Sequence, residues 1–317
     1  MSRIHEALKR AEQERTASQT AQKTDEQVER IVVSNVIEAV APPSNISTTT
    51  ILQPAIVPQS KRESSPDVLQ FDEIWANCSR PQLKPNPNLL VFSNSDPFHP
   101  GTEQFRTLRS RLYRMRDTQP LRTILVSSAI PAEGKTLIAA NLAHAMVRQQ
   151  GCRVLLIDAD LRSPRLHTLL GAPATPGMAD YLQNSCDEFD VIQRGHEQGL
   201  CFIPAGNHVA HPSELISSNR LKQFLERVKP VFDWIIIDSP PALPVADASV
   251  LGGLCDGVLF VVRANSTPSE TSQKACKELR DAHILGVVLN TVEEAAEYSS
   301  YYSNSPYGLG SSQKPQK

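Results

Sequence analysis

Residues 123–150 read TILVSSAIPAEGKTLIAANLAHAMVRQQ, a short apolar run, a small polar loop and a helix-length apolar stretch in direct succession. The run Thr123–Val126 has the β-branched content of a buried strand. A helix is expected over 135–150, ended by Gly151. Between them lies AIPAEGKT (Ala129–Thr136), whose Gly134, Lys135 and Thr136 match the second half of G-x-x-x-x-G-K-[ST]; Ala129 stands where the pattern has its first glycine. The spacing suits phosphate. Backbone N–H groups at a helix start point at the anion, Gly134 lets the backbone come close, Lys135 adds a point charge, and the Thr136 hydroxyl can ligate Mg²⁺. Pro131, Ala132, Glu133, Gly134, Lys135, Thr136 and Leu137 are the expected nucleotide-contacting residues.

Two more motifs sit at strand ends. VLLIDADLR (Val154–Arg162) closes a strand expected over 153–157 with Asp158 and Asp160, which lie on the same side of an extended chain. Paired carboxylates there suit Mg²⁺, an oxygen-seeking cation that offsets their repulsion. WIIIDSPP (Trp234–Pro241) ends a strand at 233–238 with Asp238, the position of a metal-holding aspartate in nucleotide hydrolases. Thr136, Asp158 and Asp238 are the expected metal set; Lys135, Asp158 and Asp160 are the expected catalytic set. Asn290 closes the strand at 284–289, where it either reads an adenine edge or simply ends a strand in a turn.

Further strands are expected at 200–204 and 257–262, with helices over 101–116, 213–229 and 268–282 between them. Several strands are unbroken Val/Ile/Leu runs, as in a sheet covered on both faces. The fold class is therefore α/β: a three-layer P-loop NTPase fold with a mostly parallel sheet. Ahead of it, residues 16–88 are expected to be a mostly disordered linker, because 16–68 are rich in Ser, Thr, Gln and Pro and poor in aromatics. Residues 1–15 read as an amphipathic N-terminal helix with Ile4, Ala7, Leu8 and Ala11 on one face. The P-loop domain is expected over 89–292, and 293–317 read as a flexible tyrosine-containing tail.

Composition narrows the choices. Among 317 residues, 32 Lys and Arg meet 34 Asp and Glu, a formal charge of -2, which disfavours a nucleic-acid binder. No apolar stretch approaches the ~20 residues of a membrane span, and the N-terminus lacks a signal-peptide core. Six scattered cysteines without a C-x-x-C read as reduced thiols in a cytoplasmic protein. Only His208 and His211 of the eight histidines lie near each other, which disfavours a metal enzyme.

The Gly-Lys-Thr loop, the DxDxR motif of Asp158, Asp160 and Arg162, and the DxPP motif of Asp238, Pro240 and Pro241 together resemble the bacterial tyrosine kinases, over roughly 89–310. Their domains are related to the partitioning ATPases. The signature lysine that those ATPases carry early in the loop is absent here, where Ile130 and Pro131 stand. The resemblance extends to EQFRTLR, whose Glu103, Arg106 and Arg109 match the motif that builds a head-to-tail ring in the family. It extends also to Tyr298, Tyr301, Tyr302 and Tyr307, four of six tyrosines within ten residues, which match the family's autophosphorylation cluster.

The resemblance implies ATP and Mg²⁺ as cofactors and autophosphorylation of the tail, largely between neighbouring subunits. It further implies control of exopolysaccharide or capsule polymerisation and export. The implied partners are other copies in a ring, a membrane-embedded chain-length or activator protein acting in trans, and a cognate tyrosine phosphatase. The implied location is the cytoplasm, at the inner face of the membrane through a partner. A non-kinase ATPase switch that recruits a partner shares the same nucleotide site and is the competing expectation; a scaffold with a structural nucleotide is a third.

Overall fold

In a computed structural model, residues 69–92 and 100–292 are described. The elements run α1 Phe71–Asn77, α2 Pro100–Arg116, β1 Thr123–Ser128, α3 Lys135–Val147, β2 Val154–Asp158, α4 Leu166–Leu170, α5 Met178–Leu182 and α6 Glu188–Val191. They continue through β3 Gln193–Arg194, β4 Leu200–Ile203, α7 Pro212–Ile216, α8 Asn219–Val228, β5 Trp234–Asp238, α9 Asp247–Leu254, β6 Gly257–Arg263, α10 Ser269–Glu278 and β7 Ile284–Asn290.

The seven strands are ordered β3-β4-β2-β5-β1-β6-β7, parallel throughout except for the antiparallel β3–β4 edge. Strand alternation divides the apolar side chains between two layers. Leu125, Leu155, Ile157, Ile235, Ile237 and Phe260 face one layer, against Leu221, Phe224 and Leu225 of α8 and Leu251 of α9. Ile124, Val126, Leu156, Trp234, Ile236 and Val261 face the other, against Leu112 of α2 and Leu142 and Met146 of α3. Burial on both faces is why these strands read as continuous apolar runs. The three-layer expectation holds.

The order has a consequence for chemistry. β5 lies between β1 and β2, with Val126 in register with Asp238 and Asp158 in register with Asp238. Three segments far apart in sequence therefore end side by side at one edge of the sheet. Cross-links hold them there: the Ala159 N–H donates to the Asp238 carbonyl at 2.8 Å, and the Ala242 N–H to the Ser128 carbonyl at 2.8 Å.

Some boundaries differ from expectation. The stretch 16–88 expected to be linker is structured in its described part: Phe71–Asn77 form α1, and Leu69, Ile74 and Cys78 are buried in the core. The apolar side chains of α1 cover one end of a sheet that would otherwise expose its face, which overrides the segment's polar neighbourhood. Leu90 and Phe92 are also buried, and the Asn141 side chain of α3 grips this segment, accepting from the Val91 N–H and donating to the Leu89 carbonyl, both at 2.9 Å. The helix expected over 213–229 is two, because Ser218 breaks it and caps α8 through its hydroxyl. α3 ends at Val147 and α10 at Glu278, short of 150 and 282. The N-terminal helix, the first part of the linker and the tail with Tyr298, Tyr301, Tyr302 and Tyr307 lie outside the described residues. Among the described residues no helix is long and apolar enough to cross a membrane.

Candidate active site

The loop after β1 is shaped by two left-handed residues, Ala132 at φ 65° and Gly134 at φ 94°. At Gly134 the requirement is twofold, since a Cβ there would also lie 2.1 Å from Asn290 Nδ2. Gly134 N-caps α3 without any side-chain cap, so the helix start keeps backbone donors for an anion. Glu133 turns inward, 1% exposed. Its Oε2 accepts from the Ile130 N–H at 2.8 Å, and its Oε1 from the Thr267 hydroxyl at 2.6 Å. Its carbonyl accepts from Asn290 Nδ2 at 2.9 Å. Glu133, expected to contact nucleotide, and Asn290, expected either to read an adenine edge or to end a strand in a turn, thus brace the loop; Asn290 donates its amide N–H to the loop backbone.

Lys135, Thr136, Asp158, Asp160 and Asp238 converge at the strand ends. Lys135 Nζ lies 2.9 Å from Asp160 Oδ2 and 3.8 Å from Asp238 Oδ1. The Thr136 hydroxyl donates to Asp238 Oδ2 at 2.5 Å. Asp158 behaves differently: its Oδ1 accepts from the Asp160 N–H and its Oδ2 from the Leu166 N–H, each at 3.1 Å. Those bonds pin the turn after β2 and the start of α4. Asp160 Oδ1 accepts from the Ser163 N–H at 3.0 Å, leaving Oδ2 toward the lysine.

Burial sets the electrostatics. It pushes Asp238 up to about 6, although Lys135 and the Thr136 hydroxyl pull the other way. Burial, then the Asp238 charge, holds Asp158 well above the usual carboxylate range. Burial disfavours the Lys135 ammonium, but Asp238 and Asp160 outweigh it and hold the group above its ordinary value. The cluster is a buried surplus of carboxylate around one cation.

Mg²⁺ fits that surplus. Asp238 Oδ1 is buried and makes no hydrogen bond, while Oδ2 meets the Thr136 hydroxyl. An orphaned carboxylate oxygen beside the loop hydroxyl is a donor pair for a small oxygen-seeking cation. Among the described residues no group of three or more His, Cys, Asp or Glu is arranged to hold a metal.

The partners of Arg162, Asp247 and Ser213, went unseen in the sequence. Arg162 of the DxDxR motif donates from Nε to Asp247 Oδ2 at 2.8 Å and from Nη2 to Ser213 Oγ at 2.7 Å, and Ser213 donates to Asp247 Oδ1 at 2.6 Å. Asp247 is 2% exposed and lies 85 residues from Arg162, where only the topology joins them. In the E-x-x-R-x-x-R motif, Glu103 and Arg106 pair with each other at the surface of α2, while Arg109 Nη1 donates to the Ala145 carbonyl of α3 at 2.7 Å.

The chain matches the family model described as an AAA domain over residues 122–271. It is 34% identical over 215 residues to the tyrosine-protein kinase YwqD of Bacillus subtilis, covering 67% of this chain and 90% of that one. The chain belongs to the bacterial tyrosine kinases. Another relative of this bacterial tyrosine kinase is the succinoglycan biosynthesis transport protein ExoP of Rhizobium meliloti, 34% identical over 63% of this chain but only 26% of ExoP. Among solved structures, the kinase domain of the Escherichia coli tyrosine kinase ETK superposes with a TM-score of 0.62 at 29% identity, covering 73% of this chain and 88% of that one.

Proposed function

We propose that the chain transfers the γ-phosphoryl group of ATP to tyrosines of its own C-terminal tail, Tyr298, Tyr301, Tyr302 and Tyr307, chiefly between neighbouring copies. The observation that carries this is the convergence of Lys135, Thr136, Asp160 and Asp238 under the glycine loop in a member of the tyrosine kinase family. The tyrosine oxygen attacks the γ-phosphorus, the bond to the β-phosphate bridging oxygen breaks, and ADP leaves. A tyrosine hydroxyl ionises near pH 10, so the attacking group needs help. Asp160, with Oδ2 facing the site, orients the hydroxyl and takes its proton; Asp158, with both oxygens occupied by N–H donors, keeps the turn in place. Lys135 and the N–H groups opening α3 stabilise charge on the transferred group. Thr136 and Asp238 would hold Mg²⁺, which would supply charge neutralisation at the phosphate oxygens.

The wider reading follows the relatives' names. In this proposal the chain acts in exopolysaccharide synthesis or export, as a ring of copies contacting through Glu103, Arg106 and Arg109, with a membrane-embedded activator in trans and a phosphatase to reset it. The test is isotopically labelled ATP with mass spectrometry of the tail peptides, wild type against Lys135→Ala. Phosphate on tail tyrosines that falls at least ~100-fold in the variant is the expected result. ATP hydrolysis without tyrosine labelling would overturn the kinase in favour of an ATPase switch.

A further inference from the structure

Three loops leave the ligand edge of the sheet side by side, those that follow β4, β2 and β5, because β2 pairs with both β4 and β5. Each leads to one side chain of a shared contact. Arg162 stands in the turn after β2, Ser213 in α7 after β4, and Asp247 opens α9 after β5. Arg162 Nε donates to Asp247 Oδ2 at 2.8 Å and its Nη2 to Ser213 Oγ at 2.7 Å, while Ser213 Oγ donates to Asp247 Oδ1 at 2.6 Å. These bonds close a clasp, and Arg162 Nη2 reaches Asp247 Oδ1 across it at 3.4 Å.

The clasp differs from an ordinary surface ion pair in two respects. Asp247 is buried, and although it opens α9, both its oxygens turn to Arg162 and Ser213; Ala246 N-caps the helix without a side-chain bond. A carboxylate withdrawn from water depends on the partners left to it. The clasp also closes on the turn that carries Asp160, two residues before Arg162. One side of that turn is held to β2, where the Asp160 N–H donates to Asp158 Oδ1 at 3.1 Å. Leu161 is buried, and Arg162 ties the other side of the turn to α7 and α9.

We infer that Arg162 is a positioning residue: through Asp247 and Ser213 it fixes the turn that presents Asp160 Oδ2 to Lys135 and to the acceptor. The inference rests on the proposed role of Asp160 in taking the acceptor's proton. A guanidinium suits the task because its planar fork donates in set directions, whereas an ammonium is a point charge without that geometry. A displacement of ~1 Å in a group that handles the proton can cost ~100-fold in rate. The phosphate loop is held by other bonds, from Glu133 and Asn290, and Thr136 meets Asp238. The clasp should therefore set turnover and leave ATP affinity alone.

The full chain is assayed for tail-tyrosine phosphorylation with labelled ATP as wild type, Arg162→Ala, Arg162→Lys, Asp160→Asn and the Arg162→Ala/Asp160→Asn double variant. Arg162→Ala should lower kcat at least ~10-fold while KM for ATP stays within ~2-fold. Arg162→Lys should recover only part of that loss. Because Arg162 acts through Asp160, Arg162→Ala should cost less than ~3-fold in the Asp160→Asn background. An equal loss in both backgrounds, or one confined to KM, would overturn the inference. Should Arg162→Ala fail to fold, Ser213→Ala removes one corner of the clasp and leaves the Arg162–Asp247 pair. That variant should speed hydrogen exchange over residues 159–165 and lower kcat ~3-fold; no change in either overturns the inference. If wild type hydrolyses ATP without labelling tyrosine, the kinase reading falls and the cycle is scored on phosphate release. There, non-additivity between Arg162 and Asp160 supports the clasp and additivity overturns it.

Discussion

At the scale of single residues, Asp238 sets stability against chemistry. Its folded pKa of about 6 lies above the ordinary 3.8, so the ligand-free fold binds a proton that the unfolded chain has released. The stability associated with that proton is present below pH ~4 and is lost as pH rises through about 6. Asp238→Asn removes the penalty while leaving an oxygen to accept from Thr136. The variant should match wild type near pH 4 and exceed it by about 3 kcal/mol at pH 7.5 in thermal unfolding without nucleotide, yet lose Mg²⁺-dependent phosphorylation. Gly134 poses a different conflict. Gly134→Ala should cost about 1–3 kcal/mol and most of the nucleotide affinity, from strain at φ 94° and the approach of Asn290. Adding Asn290→Ala relieves the second cause alone, so calorimetry should show partial rescue of stability in the double variant.

Among the elements, α1 is the one that polar surroundings concealed. Phe71 and Trp75 are the signal that a helix stands there, with rings stacked at 5.7 Å and Phe71 edge-on to Phe232. Two aromatics in seven residues differ from the Ser/Thr/Gln/Pro-rich chain before them. A boundary drawn from average composition runs past them. Ile74→Ala should destabilise the protein by about 2–4 kcal/mol, as chemical denaturation would report, whereas a true linker position would show no change. The split between α7 and α8 has the same origin. The apolar period continues through Ser217 and Ser218, but Ser218 supplies a cap that ends one helix and begins another.

For the whole molecule, the motifs at the ends of β1, β2 and β5 were legible because apolar runs mark buried strands and charge at their C-terminal ends marks the ligand edge. The placement of β5 between β1 and β2 was not legible, since no local pattern records which strand inserts where. Nor was the Arg162–Asp247–Ser213 network: an aspartate opening a helix reads as an ordinary first-turn residue until the topology sets it opposite an arginine. Asn290 was legible as a strand end beside the loop, but its task of bracing Glu133 depends on β7 lying across β6 from β1.

That bracing contact fixes where the chain departs. Asn290 touches the catalytic loop, and Tyr298 follows only eight residues later, a leash of at most ~28 Å when fully drawn out. A tether that short sets an effective concentration of order millimolar near its own anchor. Under the proposed transfer between copies, geometry that brings a neighbour's tail to the loop must outcompete the chain's own. Dilution separates the two routes: labelling at Tyr301, Tyr302 and Tyr307 should fall with enzyme concentration, while a slow, concentration-independent remainder persists at Tyr298.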